Sequence, residues 1–291
     1  MEYIRDKLDS SAKDPFGYFY LLYKIHKPTL STRPVCSDCA STPHALGQWV
    51  DEMLQPIVKN QPTYFRDSFA LKYELNNLTV PENASLFTYD AVSMYTNIHT
   101  ETCIQRLSSF LLSDKTRKKF SHYPAKALLE ALILVMRNNR MKFGDIIAHQ
   151  ISGIAMGMAP APTIANLFVA IHKASDILHY IGTLLNFLRR FIDDGLGIWL
   201  HDPNPDTDRE NWVRFKVSIN SGGLSWTFSP QAQHAVFMDM NIRINEGRIE
   251  TSLYTKPLAL HLYIPPPFMP PPRVVFWPDF WKYTEDIPII L

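Results

Sequence analysis

Apolar positions along the chain switch repeatedly between the period of a strand and that of a helix. Residues 17–27 are rich in Tyr, Phe, Leu and Ile and predict a strand that ends in a basic cluster. A turn over 28–32 follows. Arg33 then opens a second extended piece, because Pro34 biases it away from helix. Leu46, Trp49, Val50, Met53 and Leu54 recur at helical spacing and predict a helix over 43–57. A shorter helix is expected over 68–78. Residues 84–90 predict a strand closed by an acid, Asp90, and residues 91–98 a turn leading to a helix at about 100–112. The strongest helical pattern covers 124–140, with Leu128, Leu129, Leu132, Ile133, Val135 and Met136 on a broad apolar face. A hairpin turning at Gly144 and Asp145 follows. A small-residue, Pro-rich run from Gly153 to Pro162 then feeds a helix over 163–180.

The second half reads mainly as strands. Residues 186–192 and 196–200 are apolar, aromatic and short, and predict a β-hairpin with Asp193 and Asp194 at its tip. Residues 201–209 read as a polar loop and 212–219 as a helix. Further strands are expected over 222–228, 236–244 and 248–254, the last two joined by Asn245, Glu246 and Gly247. Six prolines between Pro265 and Pro272 exclude regular helix there. No internal repeat is present. The pattern is that of an α+β chain.

Composition narrows this picture. The 291 residues, 46% of them hydrophobic and 12% aromatic, suffice for one large domain or two packed subdomains. No run of about 18 apolar residues predicts a membrane span. Residues 1–13 are polar and charged, unlike a secretory signal. The three cysteines, Cys36, Cys39 and Cys103, fit an intracellular, reduced protein. Cys36 and Cys39 have metal-ligand spacing but no second pair, so two ordinary thiols in a turn are expected rather than zinc. Net charge is +1, which does not by itself announce a nucleic-acid partner. The charge is uneven, however: residues 115–142 hold eight Lys or Arg and one acid, Glu130.

Three stretches carry candidate chemistry. Adjacent carboxylates such as Asp193 and Asp194 repel, and a divalent cation is the usual remedy when they are buried; an Asp-Asp-Gly surface turn is the plain alternative. Lys24, Lys27 and Arg33 on one hairpin are placed to hold a polyphosphate by charge-assisted hydrogen bonds, or else form a solvated basic hairpin. Asp90, closing an apolar strand, suits either a metal ligand or a helix cap. The small residues around Gly157 allow close approach by a base pair or by the chain's own backbone.

Taken in order, these stretches resemble a reverse transcriptase, most closely the Penelope-like retroelement group. The resemblance covers roughly residues 18–264 and rests on 23–28, Arg33-Pro34, 89–98, 153–157 with Pro162, Ala165 and Asn166, 191–194, 236–239 and 254–257. It implies a right-hand polymerase: fingers over 1–83, palm over 84–250 with a fingers insertion at about 115–160, a primer-grip-like hairpin over 251–264, and a Pro-rich tail over 265–291 in place of a helical thumb. It also implies an antiparallel palm sheet and RNA-directed DNA synthesis, with two divalent metal ions, Mg2+ or Mn2+, and an RNA template, a DNA primer and dNTPs as partners. Carried over by position, Asp90 and Asp193 resemble the metal-ligating carboxylates, Asp194 their neighbour, and Ala91 a backbone-carbonyl ligand. Lys24 and Arg33, with Lys27 beside them, match residues that hold the triphosphate. Gly157 and Pro162 match the segment against the nascent base pair, and Tyr254 and Lys256 the primer grip. Tyr95, five residues after Asp90, matches an aromatic beneath the incoming sugar that leaves no room for a 2′-hydroxyl. The plain alternative is a core aromatic with its hydroxyl satisfied, and the position relative to Asp90 favours the gate.

Ala161 stands where a serine is common before Pro162, and Phe268, Met269 and Pro270 depart from the group's usual pattern. Two other readings are therefore carried beside the reverse transcriptase: a catalytically silent, nucleic-acid-binding remnant, and an RNA-templated RNA polymerase on the same palm.

Overall fold

The computed structural model describes residues 15–24, 31–39, 41–121 and 123–255. All of these fall within one compact unit. Strands β1 (Gly17–Tyr23) and β2 (Thr32–Ser37) form an antiparallel hairpin with Leu22 opposite Arg33. Helices α1 (His44–Lys59) and α2 (Ser68–Asn76) follow. Strand β3 (Ala84–Ala91) leads through a single-turn helix α3 (Met94–Asn97) into α4 (Thr100–Leu112), α5 (Asp114–Lys119) and α6 (Ala125–Arg137). Hairpin β4 (Arg140–Phe143) and β5 (Ile146–His149) precedes α7 (Ala161–Asp176) and a 3-10 turn at Leu178–Tyr180. Then come β6 (Leu185–Phe191), β7 (Asp194–Leu200), α8 (Pro205–Asn220), β8 (Trp226–Phe228), β9 (His234–Phe237), β10 (Met240–Asn245) and β11 (Arg248–Leu253).

The strands make three sheets, in the orders β2-β1-β4-β5, β6-β7-β3-β8 and β11-β10-β9. The first joins strands drawn from opposite ends of a long stretch of chain, with β1 parallel to β4. The central sheet is antiparallel throughout. Its two faces are both apolar, and strand alternation divides them. Phe87, Tyr89 and Trp199 pack on one face with α1, α4, α6, α7 and α8. Leu86, Leu196 and Ile198 pack on the other with α2 and the β9–β11 sheet. Trp212 and Phe215 of α8 meet this first face edge-on, at 4.9 Å and 5.7 Å from the Phe87 ring.

Several elements differ from the sequence-based expectation. The polar stretch 201–209 is not a loop to its end, because α8 begins at Pro205. Asn204 caps that helix, its side chain accepting from the backbone N–H groups of Asp206 and Thr207, and proline is well suited to a first helical position. Asp208 in the first turn then fixes α8 to the end of β7 by accepting from the Trp199 indole at 2.9 Å and pairing with His201 at 2.8 Å. The expected strand 236–244 is two strands, broken where Met238 adopts a φ of 54°. The 222–228 strand shortens to Trp226–Phe228, and the Lys-rich loop contains α5. The 124–140 helix stops at Arg137, so that Arg140 opens β4, and the helix expected over 163–180 runs instead from Ala161 to Asp176, taking in Pro162. The basic end of the first strand beyond Lys24, including Lys27, lies outside the described residues, as do Lys256 and the Pro-rich tail.

Candidate active site

The central sheet brings two acids that are far apart in sequence to one place. Strand β3 pairs with β7 in a register that sets Asp90 directly opposite Asp194. Residues opposite each other in an antiparallel pair have Cβ atoms about 4.5–5.5 Å apart and share a face. The backbone N–H of Ala91 donates to the Asp193 carbonyl at 3.1 Å, which closes the ladder at the turn. Asp90 and Asp194 are exposed and Asp193 is half-buried, so the three carboxylates mark the open end of the sheet. On the other side of β3, the Thr227 hydroxyl donates to the Asp90 carbonyl at 3.3 Å, fixing the strand end from β8.

Two glycines set the local geometry. A Cβ on Gly195 would run into the Tyr89 ring and one on Gly197 into the Phe87 ring, so both positions are bare to let cross-strand aromatics lie over the strand. The Asp-Asp-Gly sequence is thus not an isolated surface turn: its glycine is part of a packed sheet.

Behind the turn lies Arg190, which is 2% exposed. Its guanidinium donates to the Asn166 side-chain oxygen at 2.8 Å, to the Asn166 carbonyl at 3.0 Å, and to the Ile192 carbonyl. Ile192 has a φ of 53°, a left-handed conformation that a β-branched residue adopts only when its surroundings impose it. Arg190 is therefore a clamp between α7 and the acid turn. Burial pushes its pKa down to about 10, while Tyr89 and Asp193 act in the opposite direction, so it is charged at neutral pH. Its role escaped sequence reasoning because a double arginine in a strand reads as two surface cations.

Tyr95 lies in the short helix α3, just past the end of β3. It is half-buried against the helical core. Its hydroxyl is pushed up to about 12, first by burial and next by the Asp193 charge, with Arg33 pulling the other way. Tyr95 therefore senses an acid of the central sheet and a cation of the first sheet together. Its backbone carbonyl accepts from Ile154 at 2.7 Å, which anchors the Gly153–Pro162 loop to the same turn. Lys24 lies two residues beyond Leu22, the partner of Arg33, and so shares the hairpin face with Arg33.

The remaining sequence-selected residues fall elsewhere. Gly157, with a φ of 116°, presses on β2, where an added Cβ would lie 2.7 Å from the Cys36 carbonyl oxygen; its smallness serves close backbone packing. Pro162 is exposed in the first turn of α7. Tyr254 follows β11, its N–H donating to Asp239 at 2.8 Å, which places it with the β9–β11 sheet and not with the acid turn. Among the described residues, no group of three or more His, Cys, Asp or Glu is placed to hold a metal ion by itself. The donors at the sheet end are nonetheless hard carboxylate oxygens, and Mg2+ is usually held by only one or two carboxylates together with substrate phosphates. To that extent the residues present fit such an ion.

The fold is shared with polymerases. Apo telomerase from Candida tropicalis, truncated from its C-terminal domain, matches with a TM-score of 0.57 at 10% identity, over 82% of this chain and 55% of that one. The BmCPV RNA-dependent RNA polymerase at its elongation state matches with 0.57 at 14% identity, over 82% and 22%. Telomerase from Candida albicans, in complex with a TWJ fragment of telomeric RNA, matches with 0.57 at 10%, over 86% and 49%. The chain spans about half the length of these telomerase chains and about a fifth of the viral polymerase. No protein-family model matches the chain, and no curated protein matches it in sequence. These likenesses show the fold, that of the right-hand polymerases, an α+β architecture with antiparallel sheets. Among the described residues, no helix is long and apolar enough to cross a membrane.

Proposed function

We propose that the chain is the fingers and palm core of an RNA-directed DNA polymerase of a retroelement, most similar to the Penelope-like group, joining dNTPs to a primer 3′-hydroxyl on an RNA template. The observation that carries this reading is the register pairing Asp90 with Asp194, with Asp193 beside it in the β6–β7 turn. It supports one acidic centre built from two strands, and Arg33 and Asp193 acting together on Tyr95 support a cation of the fingers facing that centre. In this reading the sheet β6-β7-β3-β8 is the palm and β2-β1-β4-β5 belongs to the fingers.

Asp90 and Asp193, with Asp194 beside them and the Ala91 carbonyl, would hold two divalent ions, Mg2+ or Mn2+. Ions so held stabilise both the attacking and the leaving oxygens of an in-line displacement. The rest falls to the protein. Arg33 and Lys24, on one hairpin face, neutralise the triphosphate and hold it in line by charge-assisted hydrogen bonds. The Tyr95 ring stands under the incoming sugar and excludes a 2′-hydroxyl. Arg190 keeps the acid turn in place as charge moves across it.

Primer extension on a homopolymer RNA template, with Mg2+ or Mn2+ and with each nucleotide class, tests the reading. Incorporation of dNTPs supports it. Incorporation of NTPs alone reassigns the chain to RNA synthesis, an activity compatible with the fold that the viral RNA polymerase shares. Binding of nucleic acid with no incorporation of either class leaves the silent remnant.

A further inference from the structure

A second basic site lies away from the acid turn, on the rim formed by α5 and the start of α6. Ser113 fixes this corner, its hydroxyl accepting from the Thr116 N–H at 3.3 Å and donating to the Phe110 carbonyl at 2.8 Å. Tyr123 is buried beneath, its hydroxyl donating to the Leu111 carbonyl at 3.0 Å. Between them opens a cavity of about 520 Å³ lined by Arg117, Lys118, Phe120, Ser121 and Tyr123, with Asp114 as its one acid. Lys115, Arg117, Lys118 and Lys126 are all exposed, and none of them forms an ion pair among the described residues. In a chain of net charge +1, several unpaired cations gathered on one rim around a single acid are a local field.

Cations in the last turn of a helix favour its dipole, which accounts for part of this arrangement. It does not account for Lys115 at the start of α5, for Lys126 on α6, or for the concave shape. Phe120, half-buried, is part of the cavity lining, with the Lys119 ammonium 5.4 Å from its ring centre. A basic groove with an aromatic lining is the general form of a sequence-tolerant site for single-stranded nucleic acid. The site is separated from the Tyr95 turn by the length of α4, whose 13 residues rise about 20 Å at ~1.5 Å each. That distance corresponds to about six nucleotides at ~3.4 Å per step.

We propose that the α5–α6 cup binds the phosphodiester backbone of a single strand at a point remote from the acid turn, anchoring nucleic acid that extends beyond it. The proposal deepens the polymerase reading in naming a second contact for its template, but the binding itself does not need catalysis. The test uses the full chain and the double variant Arg117→Ala/Lys118→Ala. Both side chains are exposed, so circular dichroism and Tm should match the wild type. Fluorescence anisotropy with a labelled 30-nucleotide single strand, as RNA and as DNA, gives Kd against salt. Loss of two phosphate contacts should reduce the slope of log K against log salt by about 1.4, at ~0.7 per contact, and raise Kd at ~0.15 M salt roughly tenfold. Primer–templates with a 3-nucleotide and a 20-nucleotide single-stranded template overhang give the second arm: KM should rise several-fold for the long overhang only. An unchanged slope for the 30-nucleotide strand overturns the proposal, as does an equal loss with short and long overhangs, which would move both residues to the catalytic cleft. If no variant or wild type extends a primer, the polymerase reading fails while the anisotropy arm still decides the cup.

Discussion

At the scale of single residues, Gly195 and Tyr95 each stand at a point where the sequence left alternatives open. An Asp-Asp-Gly run is ambiguous because glycine after acids is ordinary turn chemistry. In the fold, Gly195 is bare because the Tyr89 ring occupies its Cβ position. Gly195→Ala should therefore lower stability by about 1–3 kcal/mol, the usual effect of overfilling a packed site. Chemical denaturation measures it, and an unchanged midpoint would return Gly195 to the status of a turn residue. Tyr95 offers a direct reading of the site's geometry. Its phenol is pushed to about 12 by burial and by Asp193, against Arg33. In ultraviolet-monitored alkaline titration, Asp193→Asn should bring its midpoint down and Arg33→Ala should push it up; Tyr95→Phe identifies the transition. Movement in the wrong direction, or none, would separate the three groups. The fold keeps a proton that the unfolded chain releases near pH 10, so Tyr95 stabilises the fold fully below that pH. This contribution falls as pH rises from about 10 to about 12. Its proposed service to the sugar has its own readout: Tyr95→Ala should admit ribonucleotides with little change in use of deoxynucleotides, and a proportional loss of both would reject the gate.

At the scale of elements, periodicity carried most of the architecture. The strands on either side of the acids and α1 follow from the spacing of apolar residues, because each has a face that packs, whereas β1 and β5 are mostly exposed and the turns beside them mark their hairpins. The misses have local causes. Helix α8 starts inside a polar run, since its first turn is made by an asparagine cap and Pro205 and not by apolar residues. The break between β9 and β10 is at Met238, a left-handed residue that no sequence rule marks. The pairing of Arg190 with Asn166 spans 24 residues and belongs to no motif spacing, so only the fold reveals it. It also makes a prediction about elements. Asn166→Leu removes the side-chain oxygen that accepts from a buried guanidinium and keeps the backbone carbonyl. Leaving buried donors without partners costs about 1–3 kcal/mol, more when they are charged. The variant should unfold earlier in denaturant by at least that amount. A neutral outcome would mean that the Asn166 and Ile192 carbonyls suffice to hold Arg190.

At the scale of the whole molecule, stability and the acidic centre are linked through charge. The register sets Asp90 opposite Asp194, and like charges directly opposed on a strand pair disfavour it. Both side chains are exposed, so the repulsion is moderated by water but not removed. A site of this kind is tolerated when a bound cation offsets it, and binding to the folded state alone raises stability by RT ln(1 + [L]/Kd), about 2.7 kcal/mol at a hundredfold excess over Kd. The proposed two-ion site thus has a signature that does not depend on catalysis. Without divalent ions, Asp194→Asn should unfold at the same temperature as the wild type or slightly above it. With Mn2+ or Mg2+ in millimolar excess, the Tm of the wild type should rise, and Asp90→Asn and Asp193→Asn should each remove most of that rise while leaving the ion-free Tm near the wild-type value. NaCl at matched ionic strength serves as the control for simple screening, since ions that act by ionic strength alone would shift all the variants alike. If wild type and variants respond equally to every ion, the acids do not form the metal site. If Asp193→Asn lowers the ion-free Tm by several degrees, Asp193 is a structural partner of Arg190 before it is anything else. The first pattern, together with loss of primer extension in the same variants, ties the acid turn to the chemistry proposed for it.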